Sequence, residues 1–458
     1  MLLLVTGANA QSNHSNAIKL NTGKIDQYLD VASQQFRFNG VALIAQKGEI
    51  LLNKGYGWRD VKSKTLHDSS TIFQIGSVTK QFTSAVILKL QEQGILSVSD
   101  PVNKFIPGYP NGDKITLYHL LTHTSGIGGY TKSFKPFKFI IKKTVSKQRV
   151  LNTFEDKPLD FEPGTQFRYN SSNYYLLGII IEKVTGKPYE QVVREAIFNP
   201  LQMTHSGFDF RNLSSPFKAT GYSIFYKGRY SKAADLDSTV LYAAGGIYST
   251  AGDLYKWIKA IPDQQILTPG SWKQTFNPNK GNYGFGWAID SLYGRRYITH
   301  SGAITNFTSL VLYFPDEDIS IILLNNTAGN LWNTGIDISQ IIFDQPYPWG
   351  EQPEVTLDSA IMNQYTGVYV YDKSHTLFVR VKDGKLQLNG TQNTGISNAP
   401  FVSISDTQFY NTKLSLKIEF VKDSNGKVTG LKGIRDGWYL SWTKVNSVLP
   451  GSSLLQNK

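Results

Sequence analysis

The 458-residue sequence predicts an α+β fold, an antiparallel sheet flanked by helices, followed by a small all-β barrel-like or sandwich domain. Three observations carry this. Alternating apolar runs at Val41 to Tyr56 read as an early hairpin, with a helical middle after it. Two strong strands, Ser309 to Phe314 and Ile319 to Leu324, come late, joined at Pro315-Asp316-Glu317-Asp318. Strands from both ends of one segment point to a single sheet. Beyond Gln345-Pro346-Tyr347-Pro348-Trp349-Gly350, a linker by composition, seven short runs follow at strand spacing.

The elements follow in order. Residues 1–24 form a polar segment behind a leader-like start, and the hairpin turns at Lys47-Gly48. Helical patterns come next: one from Ser77 through Val78, Phe82, Ala85, Val86 and Leu90, then Leu117 to Thr122, Tyr174 to Thr185, and Asp253 to Ala260. Thr250 and Asp253 before the last have capping-box spacing. The late runs are Tyr365 to Tyr371, Leu377 to Val381, Leu386 to Leu388, Phe401 to Ile404, Leu414 to Val421, Val428 to Ile434 and Tyr439 to Lys444. Asp383-Gly384, Asn425-Gly426 and Asp436-Gly437 punctuate them. The expected division is thus 1–24, 25–345 and 351–458.

Composition narrows the function. Hydrophobic content of 40% and charged content of 18% describe a folded chain, not a disordered one. Net charge is +12, with a basic stretch from Lys132 to Arg149 interleaved with Phe134, Phe137 and Phe139. That stretch reads as a solvated amphipathic face rather than a nucleic-acid patch, and an anionic envelope is a further surface it would attract. With no cysteine, neither disulfides nor thiolate metal sites are available. Leu2-Leu3-Leu4-Val5 followed by Ala8-Asn9-Ala10-Gln11 reads as the end of a signal peptide, so an exported, periplasmic or secreted protein is expected. No later stretch is long and apolar enough to predict a membrane span. The histidines do not cluster with carboxylates at ligand spacing, and no P-loop, G-x-G-x-x-G, H-E-x-x-H or G-x-S-x-G occurs. No metal or organic cofactor and no nucleic-acid partner is expected.

The chemistry concentrates at Ser77-Val78-Thr79-Lys80. A serine hydroxyl is a poor nucleophile unless a base stands within hydrogen-bond reach. Residues three apart share a helix face, which would hold Lys80 beside Ser77. Gly76 permits a sharp turn into the helix, whose free N–H groups favour developing negative charge. In Tyr169-Asn170-Ser171, the Tyr169 phenol becomes a usable base beside an ammonium group such as that of Lys80. At His300-Ser301-Gly302-Ala303, an edge strand could offer a second oxyanion donor opposite Ser77. His123, in His119-Leu120-Leu121-Thr122-His123-Thr124-Ser125-Gly126-Ile127, is either a second base or a residue that holds loop geometry.

In this order the segments resemble the serine β-lactamase and penicillin-binding protein superfamily, in its class C-like branch of β-lactamases, D-peptidases and esterases. The resemblance runs from about Asp26 to Asn325. It includes Phe73 to Lys80, His119 to Ile127, Tyr169 to Gly178, Gly245 to Leu254 and His300-Ser301-Gly302. The late β region looks like the small barrel-like domain of many members. The resemblance implies a β-lactamase/transpeptidase-like fold with a helical subdomain and an acyl-enzyme on Ser77. Lys80 and Tyr169 would shuttle the proton, Ser171 would orient Lys80, and the oxyanion would sit between the N–H groups of Ser77 and Ala303. His300 and Gly302 would stand at the family's K-T-G position. Two departures matter: Ser171 replaces the asparagine of the family's Y-x-N, and His300 replaces the lysine of K-T-G. Both favour a peptidase, esterase or amidase, acting on a small-molecule or peptide substrate of cell-wall type, over an efficient β-lactamase. The alternative is a catalytically weak, penicillin-recognising binding or sensor protein.

Overall fold

Six antiparallel strands form the central sheet: β1 (Gly40–Gln46), β2 (Glu49–Tyr56), β3 (Ala288–Leu292), β4 (Arg295–Ile304), β5 (Phe307–Phe314) and β6 (Ile319–Asn325), in the order β2-β1-β6-β5-β4-β3. A computed structural model describes residues 20–445 apart from 131–143, 227–228, 234–235, 305, 346–354, 373–374, 392–393, 395, 412–415 and 436–437. The leader-like start, most of the basic stretch, Pro346–Gly350 of the linker and the Asp436-Gly437 turn lie outside the described residues.

The early hairpin docks on the late strands, with Gly40 opposite Asn325 and Gln46 opposite Ile319. Its first strand differs from the expected alternation: β1 is buried on both faces, so it reads as a continuous apolar run. Val41, Leu43 and Ala45 pack with the helical middle, while Ala42 and Ile44 join a second cluster. That second face is covered by α1 (Thr22–Gln34) and the late helix Leu331–Ile342, which Tyr28 ties together through a 2.7 Å hydrogen bond to Asp337.

The helical middle places the site. A 3-10 turn at Gly76–Val78 leads into α2 (Thr79–Glu92), so Ser77 sits one turn before the α-helix proper. Around α2 pack α3 (Leu117–Leu121), α4 (Ser171–Thr185), α5 (Ser238–Gly245) and α6 (Ala251–Lys259). The α4 helix starts earlier than its apolar pattern because the Asn170 side chain accepts from Asn173 N–H, capping the first turn. At α6, Thr250 accepts from Asp253 N–H as its spacing predicts, but Asp253 does not close the box. Its carboxylate instead accepts from His205 N–H at 2.8 Å and Ser206 Oγ at 3.0 Å, fastening the preceding loop.

The C-terminal region is a closed eight-stranded antiparallel barrel spanning Gly367–Asp372 to Trp438–Val445, with Val368 opposite Val445 at the closure. Closure leaves no free edge. Its core mixes aliphatic and aromatic side chains, with Tyr365 stacked on Phe420, ring centroids 4.3 Å apart. The strand Gln408–Asn411, too short to show alternation, is the one its sequence hides. Among the described residues, no helix is long and apolar enough to cross a membrane.

Candidate active site

Lys80 is fully buried. Its Nζ lies 3.0 Å from Ser77 Oγ and donates to the Ala244 carbonyl of α5 at 2.8 Å. Burial penalises the ammonium form and pulls its pKa down to about 7. The amine is therefore free to accept a proton near neutral pH, with one N–H fixed on Ala244 and its lone pair available to Ser77.

Tyr169 precedes the α4 cap, with Lys80 Nζ 5.0 Å from its ring centre. The side chain is 42% exposed, yet desolvation raises the pKa of the hydroxyl, with the Ser77 contact acting in the opposite direction. Both hold together because the residue is exposed on one side while its hydroxyl is turned inward against Ser77. Electrostatic help from Lys80 was the reason to expect a phenolate, but desolvation sets the direction.

Ser171 opens α4 but does not orient Lys80. Among the described residues the hydrogen bonds of the lysine go to Ser77 and Ala244, so a backbone carbonyl fills the place expected of the serine.

The β4 segment meets the Ser77 turn. Its neighbour β3 pairs with it only from Arg295 to Thr299, which leaves the flank of His300 to Ile304 open. Backbones touch there. A Cβ on Gly302 would sit 2.0 Å from the Ile75 carbonyl oxygen and 2.4 Å from Ser309 Oγ. Gly76 has φ +52°, and a Cβ on it would lie 2.9 Å from Ala303 N. Two glycines thus bring the Ala303 amide against the Ser77 turn, and Ser309 Oγ locks the approach by donating to Ile75 O at 2.7 Å.

His300 is buried and closed on itself. A carbonyl can only accept, so the 2.6 Å contact to Ser301 O puts the proton on Nδ1, and Nε2 accepts from the Tyr283 hydroxyl at 2.9 Å. Burial first and the charge of Lys80 second lower its pKa to about 3. It is neutral. His123, also buried, has φ +57° and ring contacts to Tyr169 at 4.4 Å and Tyr283 at 4.8 Å. Its Nδ1 accepts from Asn173 Nδ2 at 3.1 Å, and its carbonyl accepts from Arg168 N–H at 2.9 Å. It holds the loop that carries Tyr169, and burial keeps its pKa well below the usual imidazole range.

Reasoning from sequence missed Ala244, Tyr283, Asn170 and Asn173. Ala244 works through its backbone and so leaves no side-chain signal beyond its place before Gly245-Gly246. Tyr283 sits in the run Asn282 to Trp287, whose alternating glycines and aromatics were a readable cue.

Fold and site together define a β-lactamase-fold hydrolase with a serine and a buried lysine at its centre. The chain belongs to the Beta-lactamase family, whose model matches residues 25–341. It is 34% identical over 309 residues to the Bacillus subtilis (strain 168) protein PbpX, named for penicillin binding, covering 67% of this chain and 74% of that one. The fold matches the octameric penicillin-binding protein homologue from Pyrococcus abyssi, with TM-score 0.67, 24% identity, and coverage of 92% of this chain and 100% of that one. It also matches a D-stereospecific amidohydrolase from Streptomyces sp., with TM-score 0.61 and 25% identity over 70% of this chain and 97% of that one.

Proposed function

We propose that the protein is a serine acyl-transfer hydrolase acting on amides or esters of D-amino-acid type whose leaving group carries no carboxylate. The observation that carries this is the buried Lys80, poised near neutral pH and 3.0 Å from Ser77 Oγ. In acylation, Ser77 Oγ attacks the substrate carbonyl carbon and its proton passes to Lys80 Nζ. The tetrahedral oxyanion is held between the N–H groups of Ser77 and Ala303. As the C–N or C–O bond breaks, the leaving amine or alcohol takes up a proton relayed through Lys80 and the Tyr169 hydroxyl. Water then attacks the acyl-enzyme with Lys80 again as base, releasing the acid and Ser77. Lys80 is the better base of the two, since desolvation raises the phenol and lowers the ammonium.

The preference for an uncharged leaving side rests on His300. A neutral imidazole with both nitrogens engaged offers no cation to a substrate carboxylate. The D-stereospecific amidohydrolase among the structural matches supports the same choice. The leader-like start supports action outside the cytoplasm. A second reading, a penicillin-recognising protein with weak turnover, draws on the missing bond between Ser171 and Lys80. Intact-protein mass spectrometry with an activated ester and a β-lactam separates the two. Turnover of the ester with a transient adduct on Ser77 supports the hydrolase, and a stoichiometric burst without turnover supports the sensor. Undiminished turnover by Ser77→Ala overturns both.

A further inference from the structure

Tyr242 interrupts α5 with φ 42° and ψ −132°. That conformation belongs to the first central position of a type II′ turn, where glycine dominates because a Cβ is strained there. Strain of this kind persists only where the surroundings over-determine it, and it collects at functional sites.

The surroundings here are specific. The Tyr242 ring packs on Tyr175 and Tyr189, with centroids 5.0 Å and 5.1 Å away. Lys147 Nζ lies 5.0 Å over its face. On α4, Gly178 leaves the ring its slot, since a Cβ at that position would sit 2.4 Å from the Tyr242 ring and 2.5 Å from Ala243 Cβ. The Tyr242 carbonyl accepts from Gly246 N–H at 2.8 Å, which closes the turn behind it.

The two carbonyls just after the bend both face α2. Ala243 O accepts from Thr83 Oγ1 at 2.7 Å, and Ala244 O accepts from Lys80 Nζ at 2.8 Å. In a continuous helix those carbonyls would point along the axis toward amides four residues on. Tyr189 joins the two ends of the device, because its hydroxyl lies 2.6 Å from Thr83 Oγ1 while its ring braces Tyr242.

We propose that Tyr242 is a positioning residue for catalysis: its ring, seated in the slot opposite Gly178, holds the non-helical turn that aims the Ala244 carbonyl at Lys80. The carbonyl fixes one N–H of the amine and so leaves the lone pair turned toward Ser77. This inference rests on the role proposed above for Lys80 and Ser77.

The test is a series at position 242 in the full chain, with steady-state kinetics on a p-nitrophenyl ester and melting temperatures alongside. Tyr242→Phe keeps the clamp and should stay within about twofold of wild type in kcat. Tyr242→Ala keeps the strain without the clamp and should lose at least about tenfold in kcat with KM unchanged. Tyr242→Gly adopts the bend without strain and should fall between them. A role in helix stability alone gives the opposite order, because alanine is the better helix former. Gly178→Ala, which attacks the slot from the other side, should reproduce the kcat loss and covers the case in which Tyr242→Ala does not fold. An alanine variant as active as the glycine variant, a Gly178→Ala enzyme with wild-type kcat, or losses confined to melting temperature or KM would overturn the proposal. Ser77→Ala assayed in parallel separates this failure from failure of the underlying mechanism, which its retained turnover alone would show.

Discussion

Replacing Gly302 by alanine tests the oxyanion site without touching a side chain that does chemistry. The new methyl carbon would start 2.0 Å from the Ile75 carbonyl oxygen and 2.4 Å from Ser309 Oγ. Ordinary contact begins at about 3.4 Å, so the Ile75 carbonyl and β4 must separate by roughly 1.4 Å. Ser309 can rotate away at the expense of its 2.7 Å bond to Ile75, but a backbone carbonyl cannot. Ile75 lies two residues before Ser77 and Gly302 one before Ala303, so the two oxyanion donors move apart. Losing one such donor costs about 10²- to 10³-fold in kcat, or about 2.7–4 kcal/mol of transition-state stabilisation. A displacement of about 1 Å alone can cost about 10²-fold. Overpacking should also lower stability by about 1–3 kcal/mol, which leaves the enzyme folded at room temperature. The assay is kcat and KM on a p-nitrophenyl ester, with the melting curve as a folding control. A folded Gly302→Ala enzyme whose kcat stays within about threefold of wild type would refute the placement of the oxyanion between Ser77 and Ala303.

Four further outcomes follow from the protonation states. Acylation should rise with pH through a single limb near pH 7, because Lys80 accepts the Ser77 proton only when neutral and its pKa is about 7. Lys80→Arg should lose about 10²- to 10⁴-fold across the whole range, since a guanidinium stays protonated, and pre-steady-state ester acylation reads both. His300→Lys should introduce a cation where the wild type has a neutral ring, raising the kcat/KM ratio of a D-alanyl-D-alanine peptide over its amide by about tenfold; an unchanged ratio removes His300 from the specificity argument. Stability should fall on acidification from pH 6.5 toward pH 3, by urea unfolding, because His67 and His300 titrate at about 3 in the fold but at 6.5 when unfolded. In that window the unfolded chain binds protons the native one refuses, at about 1.4 kcal/mol per pH unit for each group.

What the sequence made legible was the part written in periodicity and in side-chain identity. The early hairpin and late strands announce themselves because Val41 to Tyr56 and Ser309 to Leu324 each carry two apolar runs on either side of turn residues. Ser77, Lys80, Tyr169 and His300 were found because each is a polar residue in a distinctive local string. Gln408–Asn411 escaped because four residues are too few to show a period. The roles of Ser171 and Ala244 escaped for a different reason. Position 171 holds the place of the asparagine in the family's Y-x-N, so the resemblance implied a bond to Lys80. The first turn of α4 is instead fixed by Asn170 capping Asn173, and the partner arrives from α5, 164 residues away from Lys80.

That substitution of a carbonyl for a side chain bears on how Lys80 can act as a base. A carboxylate beside the amine would favour its charged form and hold the pKa high, as any opposite charge does. An asparagine side chain would share the lysine through a group that rotates. The Ala244 carbonyl carries no net charge and is fixed by the turn at Tyr242, so it satisfies one N–H without restoring the ammonium that burial disfavours. The proton affinity of Lys80 is then set mainly by desolvation, and its direction by backbone geometry. A site arranged this way tolerates serine at position 171, because the asparagine missing from the Tyr169-Asn170-Ser171 string is not what aims the base. The absence of that asparagine is therefore weak grounds for reading the chain as a catalytically idle receptor, and the contact between α5 and α2 is the place where such idleness would have to arise.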